Sequence, residues 1–445
     1  MSDSSAAVTE AVGLRTHPLT GVVQGALWAA AAVFALFTSM GGGGWEGFSA
    51  ALSVLIALVG GLLLGMAAGF LSWVFTRYVI DGTELRINSG IITKSSRRIP
   101  YERIQSVDIA EPLIARIFGL AELRIEMAGG KNSRTSLKFL KLDDAGALRR
   151  VLLARTHGEV ADEAPDEQRS IITVVPPMRI VIGTLLSLDF LFAALGTIAV
   201  VAAMLVALLA FDEPAGQVFA FLGGVIPLGS WLMQIVGQRV IQQWDFTLSR
   251  GERGLRIERG LLSRTSQTIP YDRVQGIAIK EPIVWKRFGW QRLEVDVAGY
   301  ASQGDDSDGN NANSTLLPIT DAALANAVIA ELLPGADPAL AGRTYASPRS
   351  RWFAPIGFRY RWVAANDRTF VASEGWIQRT TSIVPHHKTQ SVELSQGPLQ
   401  RRLGVATVEV HSPKGPVDAD GRHLPAVDAR ATMLAQLERA RAARA

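Results

Sequence analysis

The sequence predicts a multi-domain membrane protein: two transmembrane helical hairpins, four spans in all, carrying three related modules of antiparallel β-sheets with a C-terminal helix. Three observations predict it. One stretch occurs three times. Four long apolar runs come in two pairs. Basic residues flank each pair and are missing from the turn inside it.

The repeated stretch reads IPYERIQSVDIAEPLIARIFG from Ile99 to Gly119, and IPYDRVQGIAIKEPIVWKRFG from Ile269 to Gly289. A weaker third copy, VPHHKTQSVELSQGPLQRRLG, runs from Val384 to Gly404. Repeats decide the architecture, so they come first. Adding 170 carries Gly90, Pro100, Gln105 and Gly119 onto Gly260, Pro270, Gln275 and Gly289. Adding 285 carries them onto Gly375, Pro385, Gln390 and Gly404. Only a proline slips, from Pro112 and Pro282 to Pro398. The cassette resembles the bacterial pleckstrin-homology-like (PH-like, bPH2) domain of YdbS/YdbT-type membrane proteins, over roughly residues 75–155, 243–333 and 362–440.

At 445 residues several domains are expected, and 48% apolar residues with a mean hydropathy of +0.20 fit membrane spans. A formal charge of +4 is too small and too diffuse for nucleic acid. The absence of cysteine excludes disulfides, thiolate metal sites and a cysteine nucleophile, and suits a reducing compartment.

Residues 1–18 read as a disordered N-terminus and 19–75 as hairpin 1, with apolar runs at about 19–39 and 50–75 around the turn MGGGGWEGF. Each run covers the about 20 residues a bilayer needs. Module 1 follows at 76–157, then a linker at 158–176 and hairpin 2 at 177–239. The first run of hairpin 2, Ile180–Ala210, is overlong and must tilt or lie partly in the interface; its second is Gln217–Val236. Module 2 occupies 240–335, a linker that suits the membrane interface 336–361, and module 3 362–445. Arg15, Arg77, Lys94, Arg97, Arg98, Arg179 and Arg239 flank the spans, whereas both hairpin turns lack Lys and Arg. The positive-inside rule therefore puts both termini and all three modules in the cytoplasm. Within each module, period-two stretches around a central glycine read as strands, LIARIFG and its counterparts as a short helix ending in glycine, and Asp144–Ala154, Asp321–Leu332 and Asp428–Ala442 as closing helices.

Candidate site residues fall into five groups. Tyr101-Glu102-Arg103 and Tyr271-Asp272-Arg273 offer acid–base groups, but copy three replaces them with His386, His387 and Lys388, so a structural turn is favoured, with Arg paired to Glu111 or Glu281. The two histidines read as surface residues on opposite faces of a strand. Lys94, Arg97, Arg98, Arg103, Arg273, Lys286, Arg287, Lys388, Arg401 and Arg402 are candidate contacts to anionic headgroups or to partner proteins, against the alternative of solvated faces. Arg351, Trp352, Phe353, Arg359, Tyr360 and Trp362 mix cations with rings, as membrane-interface segments do. Gly61, Gly65 and Gly69 share one face of the second span and permit close helix packing or self-association. Asp189 is the one ionisable residue inside the apolar runs: at depth it implies transport, at the interface it does not. The insertion at 301–315 reads as a hairpin loop, since its acidic spacing does not fit a calcium loop.

No nucleophile–base or metal set appears, so no enzyme and no cofactor are expected. The expected role is a membrane scaffold binding lipids, protein partners or further copies of the chain, with a lipid or small-molecule transport component as the alternative. The resemblance implies envelope maintenance or stress tolerance, and a smaller one-domain relative as partner.

Overall fold

The structure is a computed structural model and describes residues 13–15, 28, 32, 48–75, 77–81, 83–89, 95–127, 134–156, 170–210, 227–251, 254–298, 314–340, 342–413, 415 and 417–444. It divides into two units, residues 1–168 with 262–268, and residues 169–261 with 269–445.

In the first unit β1 (Gly13–Arg15) precedes α1 (Phe48–Phe75), and β2 (Arg77–Ile80), β3 (Glu84–Ser89) and β4 (Ser95–Pro100) follow it. These four strands form one antiparallel sheet in sequence order. A single turn of 3₁₀-helix, Tyr101–Arg103, leads to β5 (Ile104–Pro112), α2 (Leu113–Ile117), β6 (Leu120–Met127), β7 (Arg134–Lys141) and the closing helix α3 (Leu142–Thr156). Alternation does the sorting: Leu85 and Ile87 of β3 point inward while Glu84 and Arg86 pair outside. With Ile99, Ile104, Val107, Leu123, Ile125 and Leu152 they make the core.

The second unit opens with β8 (Ser170–Val175), α4 (Pro177–Leu185), α5 (Leu188–Ala210) and a helix, α6, over residues 227–243 whose last turns, Gly237–Ile241, widen to a π-helix. There follow β9 (Phe246–Arg250), β10 (Gly254–Arg259), β11 (Ser263–Pro270), β12 (Val274–Pro282), α7 (Ile283–Lys286), β13 (Trp290–Val297), β14 (Thr315–Asp321) and α8 (Ala322–Leu332). The third module is built from β15 (Thr344–Tyr345), β16 (Trp362–Ala365), β17 (Thr369–Glu374), β18 (Gln378–Pro385), β19 (Ser391–Ser395), α9 (Pro398–Leu403), β20 (Val405–His411), β21 (Ala419–Pro425) and α10 (Ala426–Ala442). It repeats the plan of its siblings element for element.

The repeat anchors have physical causes. Gly119, Gly289 and Gly404 end their short helices with φ of +66°, +66° and +70°, the left-handed conformation that glycine adopts without strain. Pro100, Pro270 and Pro385 precede the three 3₁₀ turns with φ of −62°, −66° and −64°, the value a pyrrolidine ring imposes.

Inside each unit a strand edge of one repeat pairs with a segment of the following repeat. Ser263–Ser266 of β11, a segment belonging to the first unit, pairs antiparallel with β5. Within the second unit, β18 pairs antiparallel with β12 in the same way. The core of module 2 accordingly runs on into Val371 and Ile383 of module 3.

Two stretches differ from expectation. Gly13–Arg15, expected to be disordered, pairs with β2, and Ser170–Val175, expected to be linker, pairs with β9. The segment carrying α4, α5 and α6 is therefore an insertion between the first two strands of its module, and residues 16–76 stand at the same point of module 1. In module 3 the connection from β15 to β16 contains only two 3₁₀ turns, Pro348–Trp352 and Gly357–Tyr360. Among the described residues one helical stretch, Leu188–Val206 in α5, is long and apolar enough to cross a membrane. Most of the expected first span, both expected hairpin turns and the insertion up to residue 313 lie outside the described residues.

Candidate membrane-contact site

The overlong apolar run resolves into two helices. Pro177 starts α4, and Leu186 and Ser187 interrupt the helix before α5 begins. α4 is not a span: Ile180, Gly183 and Thr184 are buried against module 2. Trp285 of α7 fills the space beside it, and its indole Nε1 donates to the Gly183 carbonyl at 3.1 Å. A side chain at position 183 would press on the Ile319 side chain and on the Trp285 ring, so the glycine lets these residues pack closely against α4. The short helix α7 is thereby fixed against the segment that leads into α5, with Lys286, Arg287 and Phe288 exposed beside it.

Asp189 sits in the first turn of α5, exposed, and its carboxylate pairs with Arg239 in the π-helical end of α6. A carboxylate suits a helix N-terminus, whose free N–H groups carry partial positive charge. This pair ties the start of α5 to the end of α6. Below it, burial and the Arg239 charge push the Arg292 guanidinium down to about 10. The Arg292 guanidinium lies over Trp285 at 5.6 Å, and that of Arg179 over Trp290 at 5.4 Å.

Module 3 repeats the arrangement without a hairpin. The 3₁₀ turn Pro348–Trp352 lies against α9, where an Arg349 Nη1 donates to the Leu403 carbonyl at 3.4 Å and Phe353 stacks on His423 at 4.5 Å. Trp352 is 73% exposed and Ile356 50%, with Leu399, Arg401 and Arg402 exposed on α9. Arg351 and Arg359 lie over Trp352 and Phe358 at 5.9 and 5.7 Å, and Tyr360 is half-buried under Arg379. Trp362 is not part of this surface: it is 8% exposed, a core residue beneath Arg343 at 4.1 Å. Its place on the strand after the connection, rather than in it, is the reason.

The remaining candidates separate clearly. Tyr101 is buried and its hydroxyl donates to the Asp81 carbonyl at 2.7 Å, and burial raises its pKa. Tyr271 donates to Glu331, which also holds Arg250. These runs are structural turns. Glu281 pairs with Arg379 of the next module at 3.9 Å. His386 and His387 lie in a 3₁₀ turn, not a strand, and His386 is fully buried, not a surface residue, with its Nε2 2.8 Å from the Asn366 carbonyl. Arg98, Arg103, Arg401 and Arg402 are exposed, Arg97 reaches Thr135 at 2.5 Å, Arg273 is half-buried, and Lys388 donates to the Asp272 carbonyl at 2.8 Å. Lys94 lies outside the described residues. Gly61, Gly65 and Gly69 are all buried while Leu63, Leu64 and Phe70 are exposed, so the glycine face of α1 is the packed one.

Comparison with known proteins agrees with this architecture. The family described as Bacterial PH domain matches residues 25–156, 185–336 and 324–440. The chain is similar to the UPF0699 transmembrane protein YdbT of Bacillus subtilis (strain 168), 26% identical over 281 residues. That alignment covers 57% of this chain and 55% of the relative, so it spans about half the relative's length. No solved structure matches the chain.

Proposed function

Since the chain belongs to the bacterial PH-domain family, we propose that it is a non-enzymatic scaffold of the bacterial cytoplasmic membrane, with its PH-like modules docked on the cytoplasmic lipid surface. The four-span topology follows from the apolar runs and the basic flanks. One observation carries the lipid contact. The connection after the first strand becomes an apolar hairpin in module 2, and at the same point module 3 presents Trp352 and Ile356 beside Arg401 and Arg402. Exposed rings seat at headgroup depth, and each cation near an anionic leaflet adds about 1 kcal/mol. In module 2 the equivalent short helix presents Lys286, Arg287 and Phe288 next to the start of hairpin 2.

The chain has no cysteine, so a single one can be placed at will. Trp352→Cys carrying an environment-sensitive dye, in the full chain within lipid nanodiscs, is expected to be quenched by brominated lipid and to lose that quenching on Arg401→Glu with Arg402→Glu. Equal emission with and without brominated lipid refutes the docking. Transport, the alternative, is disfavoured by Asp189, which lies at the helix end paired with Arg239 and not at mid-span.

A further inference from the structure

The two inner joints obey one rule. Ile109 faces Ser266, and Ile279 faces Thr381. These are equivalent pairs, since 109 + 170 = 279 and 266 + 115 = 381. A glutamate faces an arginine at each: Glu111 opposite Arg264, and Glu281 opposite Arg379. So the fifth strand of one module always receives the third strand of the next, antiparallel and in fixed register.

At the two ends of the series the rule is unfulfilled. β19 holds the place of β5 and β12, yet among the described residues it pairs only with β20. β4 holds the place of β11 and β18, and among the described residues it ends its sheet. The side chains differ accordingly. Ile109 and Ile279 are 7% and 6% exposed inside their joints, whereas their counterpart Leu394 is 36% exposed.

We propose that β19 of one copy accepts β4 of a second copy, so that the protein assembles head to tail through the joint its own modules use twice. Carrying the register over by the repeat offsets sets Val392 opposite Arg98, Glu393 opposite Arg97 and Leu394 opposite Ser96. Opposite charges face each other at the central pair, which stabilises antiparallel strands. The acceptor edge is acidic beyond Glu393, since Glu409 lies close to it on β20, with His411 3.4 Å from Glu393. The donor edge is basic where the inner joints are not: Arg97 and Arg98 replace Gln267 and Thr268, and Ser382 and Ile383. Like charges keep β4 from pairing with β4 and β19 with β19, the usual protection of an exposed edge. A joint between unlike edges is heterologous, so it either closes a ring or extends a row. The joint is independent of whether the modules touch lipid.

The test uses two differently tagged full-length chains in one membrane, one bearing only Leu394→Cys and the other only Ser96→Cys. Mild oxidation is expected to link the unlike pair, and chains bearing both cysteines are expected to give a ladder. Glu393→Arg should cut the yield roughly tenfold, the effect of about 1.4 kcal/mol, and Arg97→Glu on the other chain should restore it. Purified chains exclude any other protein from the edge. Absence of the unlike-pair link overturns the proposal. So does equal linking of Ser96→Cys to Val427→Cys, an exposed position outside the joint. Unchanged yield in the charge-reversed chain, with its melting temperature intact, also overturns it.

Discussion

At three equivalent positions the chain places Tyr101, Tyr271 and His386, and the histidine takes over the tyrosine's bond. Tyr101 donates to the carbonyl of Asp81; His386 meets the carbonyl of Asn366, and 81 + 285 = 366. The resemblance was legible as spacing, but not as chemistry, because a ring hydroxyl and an imidazole look unrelated in the sequence. Burial holds the His386 pKa below its ordinary value, despite the bond to Asn366. Its neutral form is favoured by the fold, so the stability it contributes is present above pH 6.5 and is lost as pH falls through the depressed pKa. In thermal unfolding the native chain is therefore expected to lose stability from pH 7 to pH 5 relative to a His386→Gln chain, the difference between the two isolating this group. Asp296 works in the opposite sense. It is buried, neither carboxylate oxygen has a hydrogen-bond partner, and Gly415 leaves it room that any side chain would take. Burial, then the Asp418 charge, pushes its pKa from 3.8 up to about 7. Stability is full below the lower value and falls by about 1.4 kcal/mol per pH unit between the two, because the unfolded chain ionises first. Asp296→Asn is expected to raise the melting temperature at pH 8 and to leave it nearly unchanged at pH 4.

Among the elements, the period-two strands and the three closing helices were readable, because alternation and an acidic first turn are local signals. The strands β1 and β8 were not. Gly13–Arg15 has only three residues and so no period, and SIITVV stands between polar sequence and an apolar helix, far from its partner β9. Its β-branched run was the available clue. The break between α4 and α5 was concealed because Leu186 and Ser187 interrupt a helix without glycine or proline; the packing of Trp285 on Gly183 fixes it instead. The helix-ending glycines offer a clean test. Nothing lies within 4 Å of a side chain added at Gly289, so Gly289→Ala measures backbone strain alone. It is expected to lower stability by about 1–2 kcal/mol in denaturant titration, without altering the module's circular dichroism.

On the scale of the whole molecule, the repeat made the order of the three modules legible, whereas the pairing of strands across repeats was hidden. Edge pairing between distant strands leaves no periodic trace; only Arg264 and Arg379, set against Glu111 and Glu281, hinted at it. The topology itself is open to direct measurement. Single cysteines at Glu213, in the acidic stretch between two apolar runs, and at Ala445 are expected to react oppositely with an impermeant thiol reagent in intact cells, the first labelled and the second not.

Strand β8 leaves the ribosome well before β9, and the whole insert carrying α4, α5 and α6 is made between them. The sheet cannot close until that insert has been made and the chain has returned. A chain stalled within the insert would expose β8 as an unpaired, sticky ribbon, visible to proteases and chaperones. Closure of the second module thus signals that everything placed between its first two strands has been made.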